Sequence, residues 1–439
     1  MLKNIFNPNS VALIGASDRK DSVGLGIARN LLKGKRKVFF INPNKKKILR
    51  KKSYSKITDL KEKIDLAVIA VPAPVVFKVV KDCVEKRVAG IIIISAGFGE
   101  RGEEGRKEEE KIKKLLREEN IPFIGPNCLG IISPGVKLNA SFAPSTPLKG
   151  EIAFVSQSGA LIDAVIEKGF GFSRLISYGN EAGLSLIDFL RFLKKDKETK
   201  VVILYLEALK KEKGKEFIEV ARELTRKKPV LALKGGKTVK GSKAARSHSG
   251  SLAGNEKIYS TAFKKAGIFE VDNLEDLIDL ARGFSVSGKS KKGLAVITNG
   301  GAPGVIASDW CQKLDLKMPS LSDKSKKEIK KISQKINLIN PVDILGDALD
   351  DRYYSVGEIL LKQKNINLLL AIQTRQIVTK PKKNLKALAS LKKKYPGKNI
   401  ILCSLGEKLE EKSPIICFND LPKAILMAKA LIERREILE

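Results

Sequence analysis

Pro229-Val230-Leu231-Ala232-Leu233-Lys234-Gly235-Gly236 is a short apolar run that stops at two glycines, and it reads as a strand of a parallel sheet buried on both faces. Such strands alternate with covering helices, so the surrounding chain is expected to be α/β. Further on, Arg246-Ser247-His248-Ser249-Gly250-Ser251-Leu252-Ala253-Gly254 reads as a small-residue loop. A helix is expected after it from Asn255 to Ala266, with Ile258, Ala262 and Phe263 at helical spacing. His248 is the only histidine in 439 residues, so it is the one imidazole able to titrate near neutral pH. The pattern puts it beyond the carboxyl end of a strand, where open α/β sheets hold their ligands. A lone histidine can also be a satisfied polar residue at a helix end.

The same alternation gives three blocks, expected at 1–145, 150–288 and 291–439. In the first, strands are predicted at Val11 to Gly15, Lys37 to Ile41, Leu66 to Val71, Gly90 to Ser95 and Pro122 to Gly125, a Rossmann-like series. Gly15-Ala16-Ser17 closes its first strand, and Val23-Gly24-Leu25-Gly26 opens the next helix after a loop carrying Asp18, Arg19 and Lys20. This spacing is not GxGxxG. A dinucleotide site also wants an acid after the second strand to hold a ribose diol, whereas Asn42-Pro43-Asn44-Lys45-Lys46-Lys47 stands there. A phosphorylated ribose such as the 3′-phosphate of CoA suits these lysines better than NAD does. A solvated charge run is the alternative.

Ser141 to Pro147 is a turn-rich linker into the second block, whose first strand, Ile152-Ala153-Phe154-Val155, runs into Ser156-Gln157-Ser158-Gly159-Ala160. Ser158 can cap the helix that follows, and the free N–H groups of such a helix end suit a phosphate. Val201 to Leu206 is a strand ending in Glu207, either a surface acid or a partner that fixes the His248 ring. Gly288 to Lys292 links to the third block. There the strand Leu294 to Thr298 meets Asn299-Gly300-Gly301-Ala302-Pro303-Gly304, with Pro303 suited to a first helical turn and the glycines either open to an anion or serving close packing. Asn340-Pro341-Val342-Asp343-Ile344-Leu345-Gly346-Asp347 is a further turn-forming, acid-bearing loop, and strands at Ile366 to Thr374, Asn399 to Leu405 and Pro414 to Phe418 make this block flavodoxin-like, with a layout like the second.

Composition excludes several classes. Five scattered cysteines with no CxxC spacing argue against a zinc site or a disulfide framework and for a reducing cytoplasm. The N-terminus is too short and interrupted for a signal peptide, and no run approaches a membrane span. Lys and Arg outnumber Asp and Glu 83 to 49, a net charge of +34. The lysines are spread through all segments without interleaved aromatics or a nucleic-acid-binding motif, so no nucleic-acid partner is expected. The excess reads as a solvated surface, with anionic ligands or an acidic partner subunit taking the remainder.

Six segments in order, namely Val11 to Ser17, Ser95-Ala96-Gly97-Phe98-Gly99-Glu100, Gly125-Pro126-Asn127-Cys128-Leu129-Gly130, Val155 to Gly159, Ser247 to Gly254 and Asn340 to Asp343, resemble the α subunits of ADP-forming acetyl-CoA synthetases. These belong to the NDP-forming acyl-CoA synthetase superfamily, which also contains succinyl-CoA synthetase. The resemblance covers essentially the whole chain. It implies a Rossmann-like CoA-binding domain followed by two flavodoxin-like domains of the succinyl-CoA-synthetase type. It further implies that acyl-CoA and phosphate give acyl phosphate and CoA, that His248 takes the phosphoryl group, and that phosphohistidine passes it to ADP. Ser156, Gln157, Ser158 and Gly159 would match one phosphate-binding helix end, and Gly300, Gly301 and Gly304 the other. Glu207 would orient the histidine, and CoA would lie near Gly15, Ser17, Lys20, Asn42, Pro72 and Ser95. No resident metal is implied. ADP or ATP with Mg would bind a separate ATP-grasp β subunit, in an α2β2 heterotetramer. Ser249 replaces a more usual threonine, and Gln373-Thr374-Arg375-Gln376 lacks an expected proline. A non-catalytic CoA-sensing scaffold is the second reading, although such relatives generally lack the histidine; an NAD-dependent dehydrogenase is the third.

Overall fold

Strands that are apolar along their whole length need cover on both faces, and this chain supplies three sheets of them. The computed structural model describes residues 2–210, 212–249, 256–407 and 413–439, with backbone alone for 246–249. Among the described residues the first sheet contains β1 (Ser10–Ile14), β2 (Lys37–Ile41), β3 (Lys47–Ile48), β4 (Lys51–Tyr54), β5 (Leu66–Ile69), β6 (Ile91–Ile93) and β7 (Phe123–Ile124), in the order β3-β4-β2-β1-β5-β6-β7. β1 pairs in parallel with β2 on one side and β5 on the other, and all five of its residues are buried. From β1 the chain builds β2, β4 and β3 outward on one side and then crosses to build β5, β6 and β7 outward on the other, which opens a crevice at the carboxyl end of β1.

The second sheet holds β8 (Gly130–Ser133), β9 (Leu138–Ser141), β10 (Lys149–Ser156), β11 (Phe172–Ser177), β12 (Val201–Leu206), β13 (Val230–Lys234) and β14 (Phe269–Val271), in the order β14-β13-β12-β10-β11-β8-β9. β10 is its switch strand, flanked in parallel by β11 and β12. β8 and β9, which fall within the first block as read from the sequence, run antiparallel on the edge of this second sheet. The third sheet holds β15 (Leu294–Thr298), β16 (Val342–Asp343), β17 (Leu368–Thr374), β18 (Asn399–Leu405) and β19 (Ile416–Phe418), all parallel, in the order β16-β15-β17-β18-β19.

The chain divides into two compact units, residues 1–277 and 278–439. The first two sheets stay in one unit because they share a core: Phe6 stacks on Phe192 of the second sheet's covering helix at 4.4 Å, and its edge meets Phe189 at 6.5 Å. The second unit has a core of its own, centred on Ile297, Tyr353, Leu369 and Leu402. The division falls inside the helix Leu274–Val286, earlier than the linker at 288–292 that the sequence suggests.

Two local expectations are corrected. The helix α3 (Val239–Ser249) carries the backbone of Arg246 to Ser249, so this half of the expected loop is helical; Gly250 to Asn255 lie outside the described residues, as does the His248 side chain. Helix α1 spans Val23–Leu32, α2 Gly159–Ile166, α4 Glu256–Ala266 and α5 Gly301–Lys313. In α4 the buried stripe is Tyr259, Phe263 and Ala266, while Ile258 is 66% exposed. The i, i+4, i+7 series starting at Tyr259 wins because Phe263 sets its ring edge against Phe217 and Tyr259, both at 6.2 Å.

Candidate functional site

At the end of β1 the backbone turns through Gly15 with φ +90, and a Cβ there would lie 2.2 Å from Ala70 O, so only glycine lets β1 and β5 close up. Ser22 then caps α1, its Oγ accepting from Leu25 N and donating to Arg19 O. Asn42 ties the neighbouring loop: its Nδ2 donates 2.8 Å to Ala16 O, and its Oδ1 accepts from Asn44 N at 2.9 Å. These loops wall a cavity of about 780 Å³ at the β1 switch point, lined among others by Gly15, Ser17, Asn42, Pro72, Lys56 and Lys78.

Of the residues expected around CoA, Gly15, Ser17, Asn42 and Pro72 line this cavity, and Ser95 lines the next one. Lys20 lines neither and is exposed. The run Lys45 to Lys47 is also outside the lining: Lys45 is ion-paired with Asp18, and Lys47 belongs to the edge strand β3. The cations on the wall are Arg19, Lys56 and Lys78. Sequence reading missed the last two because one follows β4 and the other sits on the helix after β5, far from the glycine loop in the chain.

A second cavity of about 460 Å³ shares Val23, Ala70 and Val71 with the first, so the two adjoin. Its far wall comes from the second sheet: Gln157, Ser158, Gly159 and Ala160 after β10, Gly179 and Asn180 after β11, and Glu207 after β12. The four residues expected at the first phosphate-binding end fall together here, although Ser156 reaches it as the buried last residue of β10 rather than as lining. Ser158 is the N-cap residue of α2 but its side chain makes no capping bond. Instead Ser156 Oγ accepts from Ser158 N at 3.1 Å and donates to Ser158 O at 2.6 Å. The first turn of α2 therefore keeps its N–H groups free of a side-chain cap where it meets the cavity.

Glu207 is 7% exposed, which sets it apart from an ordinary surface acid. Its N–H donates to Gln157 Oε1 at 2.8 Å, Tyr205 OH donates to Glu207 Oε1 at 3.3 Å, and Lys234 Nζ donates to Glu207 O at 2.6 Å. Burial, helped by the Glu207 charge and hydrogen bond, pushes the Tyr205 phenol up to about 12, so it is a donor at neutral pH. Gln157, Tyr205 and Lys234 thus hold a carboxylate at the cavity wall. Sequence reading gave Lys234 no role, although it is the one charge in a buried run.

Asn127 and Asn180 face the same cavity and are linked at 3.2 Å, Asn127 Nδ2 to Asn180 Oδ1. Asn180 Nδ2 in turn donates to Glu100 Oε2 at 2.6 Å and Glu109 Oε2 at 2.9 Å. Burial raises the Glu109 carboxyl. Burial works the same way on Glu100, but hydrogen bonds from Asn180 and the amides of Gly97 and Phe98 outweigh it and hold Glu100 below its ordinary range. Cys128 also lines the cavity, yet burial pushes its thiol up to about 12 and its Sγ lies 3.3 Å from Ile93 O, so it is no thiolate nucleophile.

In the second unit, Gly300 is the N-cap of α5 and again no side chain caps the helix, whose first turn holds Gly301, Pro303 and Gly304. Among the described residues no group of three or more His, Cys, Asp or Glu could hold a metal ion, and no helix is long and apolar enough to cross a membrane.

Residues 9–134 match the family described as CoA binding domain, and residues 149–284 match the succinyl-CoA ligase like flavodoxin domain. Over 427 residues the chain is 38% identical to acetate-CoA ligase [ADP-forming] I of Archaeoglobus fulgidus, covering 96% of this chain and 61% of that protein. It therefore spans about six tenths of that relative's length. Over 378 residues it is 39% identical to subunit alpha of acetate-CoA ligase [ADP-forming] II of Pyrococcus furiosus, covering 85% of this chain and 82% of that one. A solved structure of the dinucleotide forming acetyl-coenzyme A synthetase 1 of Ca. Korarchaeum cryptofilum, in complex with phosphate and ADP, is 32% identical with a TM-score of 0.93, covering 100% of this chain and 97% of that one. On these likenesses the chain belongs to the NDP-forming acyl-CoA synthetases and is like the α subunit of the ADP-forming acetyl-CoA synthetases.

Proposed function

We propose that this chain is the α-type component of an ADP-forming acyl-CoA synthetase that converts acyl-CoA, ADP and phosphate to acid, ATP and CoA. The observation that carries the reading is the adjacency of the two cavities: a crevice of Rossmann type adjoins, across Val23, Ala70 and Val71, a chamber walled by an uncapped helix end and the buried Glu207. CoA lies in the first, its pantetheine arm directed past Val71 toward the second. Phosphate is held at the first turn of α2, where N–H groups and the helix dipole favour an anion.

A phosphate oxygen attacks the thioester carbonyl, the C–S bond breaks, and the sulfur leaves with the bond pair and takes up a proton as CoA. The neutral His248 imidazole then attacks phosphorus of the acyl phosphate. An N–P bond forms, the P–O bond to the acyl group breaks, and its electron pair departs as carboxylate. Glu207 orients the ring and offsets the positive charge it gains. In the last step ADP oxygen attacks the same phosphorus and the N–P bond breaks, returning neutral histidine. That step uses nucleotide and Mg on a separate ATP-grasp β subunit, and an acidic partner would complement the net charge of +34. Gly300, Gly301 and Gly304 offer a second uncapped helix end for phosphate, in the other unit.

The test is formation of ATP from acetyl-CoA, ADP and phosphate with and without an ATP-grasp subunit. Synthesis is expected only with the partner; robust synthesis by the chain alone contradicts the division of labour. Calorimetry on the same chain is expected to rank CoA above 3′-dephospho-CoA and both above NAD, and Lys56→Ala and Lys78→Ala each to weaken CoA by about 1 kcal/mol. Tight NAD binding would revive the dehydrogenase reading.

A further inference from the structure

Lys234 is the last residue of β13, opposite Leu206 of β12, and is only 3% exposed. Its Nζ donates to the carbonyl of Glu207 at 2.6 Å and to that of Gly235, and lies 4.6 Å from the centre of the Tyr259 ring. Backbone oxygens and an aromatic face therefore carry this ammonium, with no carboxylate oxygen hydrogen-bonded to it among these contacts. Burying a cation costs several kcal/mol, and a methionine of similar length would fill the space without that cost. Stability alone does not explain a lysine here.

Two of its three contacts, Gly235 and Tyr259, lie at the roots of one segment. β13 leads through Gly235 into α3, whose last turn carries the His248 backbone, and Tyr259 lies in the first turn of α4, where the described chain resumes. Tyr259 OH also accepts from Leu209 N at 2.8 Å, just past Glu207. One ammonium thus ties the end of β12, the end of β13 and the start of α4.

We propose that Lys234 is a positioning residue for phosphoryl transfer to His248, fixing the backbone of Glu207 and both roots of the histidine segment while its buried charge offsets the negative charge gathered beside Glu207. This rests on the phosphohistidine reading above. Around Lys234 stand the Glu207 carboxylate and Tyr205 phenol on the β12 side, the Tyr259 phenol from α4, and Lys237 and Glu270, which are ion-paired at 2.8 Å. Burial lowers the Lys234 ammonium below the ordinary lysine range, against the pull of Glu207. Its charge is accordingly lost on the alkaline side earlier than that of a surface lysine.

The experiment is single-turnover labelling of the full chain, alone and with an ATP-grasp β subunit, by acetyl [32P]phosphate without ADP, across pH. Wild type is expected to label and to lose rate at alkaline pH. Lys234→Met is expected to lose on the order of 10-fold or more in rate at pH values below the wild type's alkaline limb, with its KM for acetyl phosphate little changed. Lys234→Arg, which stays charged, is expected to recover rate and move the alkaline limb upward. Wild-type rates in Lys234→Met, or a loss confined to KM, overturn the proposal while leaving the phosphohistidine reading intact. If Lys234→Met does not fold, the limb in Lys234→Arg decides: an unmoved limb overturns the proposal. Absence of label on wild type overturns the phosphohistidine reading itself.

Discussion

The turn after β10 and the turn after β15 are built to one plan in different units. In each, a hydroxyl on the last strand residue bonds both backbone groups two residues on: Ser156 to Ser158 at 2.6 and 3.1 Å, Thr298 to Gly300 at 2.9 and 3.2 Å. In each, the amide of the next residue accepts from a backbone N–H at the end of the neighbouring strand, Gln157 from Glu207 and Asn299 from Thr374, both at 2.8 Å. Register makes these equivalent, since Ser156 pairs with Tyr205 and Thr298 with Ile372, two residues before Glu207 and Thr374 respectively. The correspondence extends one strand further. Lys234 stands opposite Leu206, as Ser404 stands opposite Gln373, and Gln373 Nε2 donates to Ser404 Oγ at 2.8 Å.

The hydroxyl and amide pair is thus a general way of closing a parallel strand against its neighbour while leaving the following helix end uncapped, and it carries no chemistry by itself. What differs is charge. The second sheet has Glu207 and Lys234 where the third has Thr374 and Ser404, and burying two ionic groups at a strand end costs free energy that neutral residues do not. That cost falls on the sheet to which the proposed function assigns the reaction.

The largest effect that can break this comparison is Glu207→Gln against Thr374→Val. The first is expected to keep the fold and slow phosphohistidine formation on the order of 10²-fold, by loss of the orienting charge. The second is expected to change that rate by less than about 3-fold, since it removes only a neutral contact. Equal losses would show that position, not charge, matters. A smaller pair sharpens it. Gln157→Ala is expected to slow labelling on the order of 10-fold by freeing the Glu207 backbone, whereas Asn299→Ala is expected mainly to destabilise its unit by about 1–3 kcal/mol, because the Thr374 N–H loses its acceptor. Rates of labelling and denaturant midpoints separate the two outcomes.

Most strands were legible in the sequence because period and apolarity are local: Lys37–Ile41, Val201–Leu206 and the start of α1 at Val23 fall where the pattern puts them. Pairing across distance was not legible. Nothing in Gly130–Ser133 or Leu138–Ser141 shows that these strands run antiparallel on the second sheet, or that Phe6 is stacked on Phe192. The site shows the same divide. Glu207 stood out as an acid closing an apolar strand, but Lys56, Lys78, Asn127 and Asn180 reach the cavities only through topology. The Lys45 to Lys47 run left a phosphate site and a solvated charge run both open, because a charge run alone does not show which way it faces; it lies outside the cavity lining, with Lys45 paired to Asp18 from the preceding loop.

The central claim, that the chain carries its phosphoryl group on the one imidazole it has, is tested most directly by incubating wild type and His248→Asn with acetyl [32P]phosphate and scoring acid-labile, base-stable label. The account predicts label on wild type and none on His248→Asn. Equal labelling of the two would contradict it.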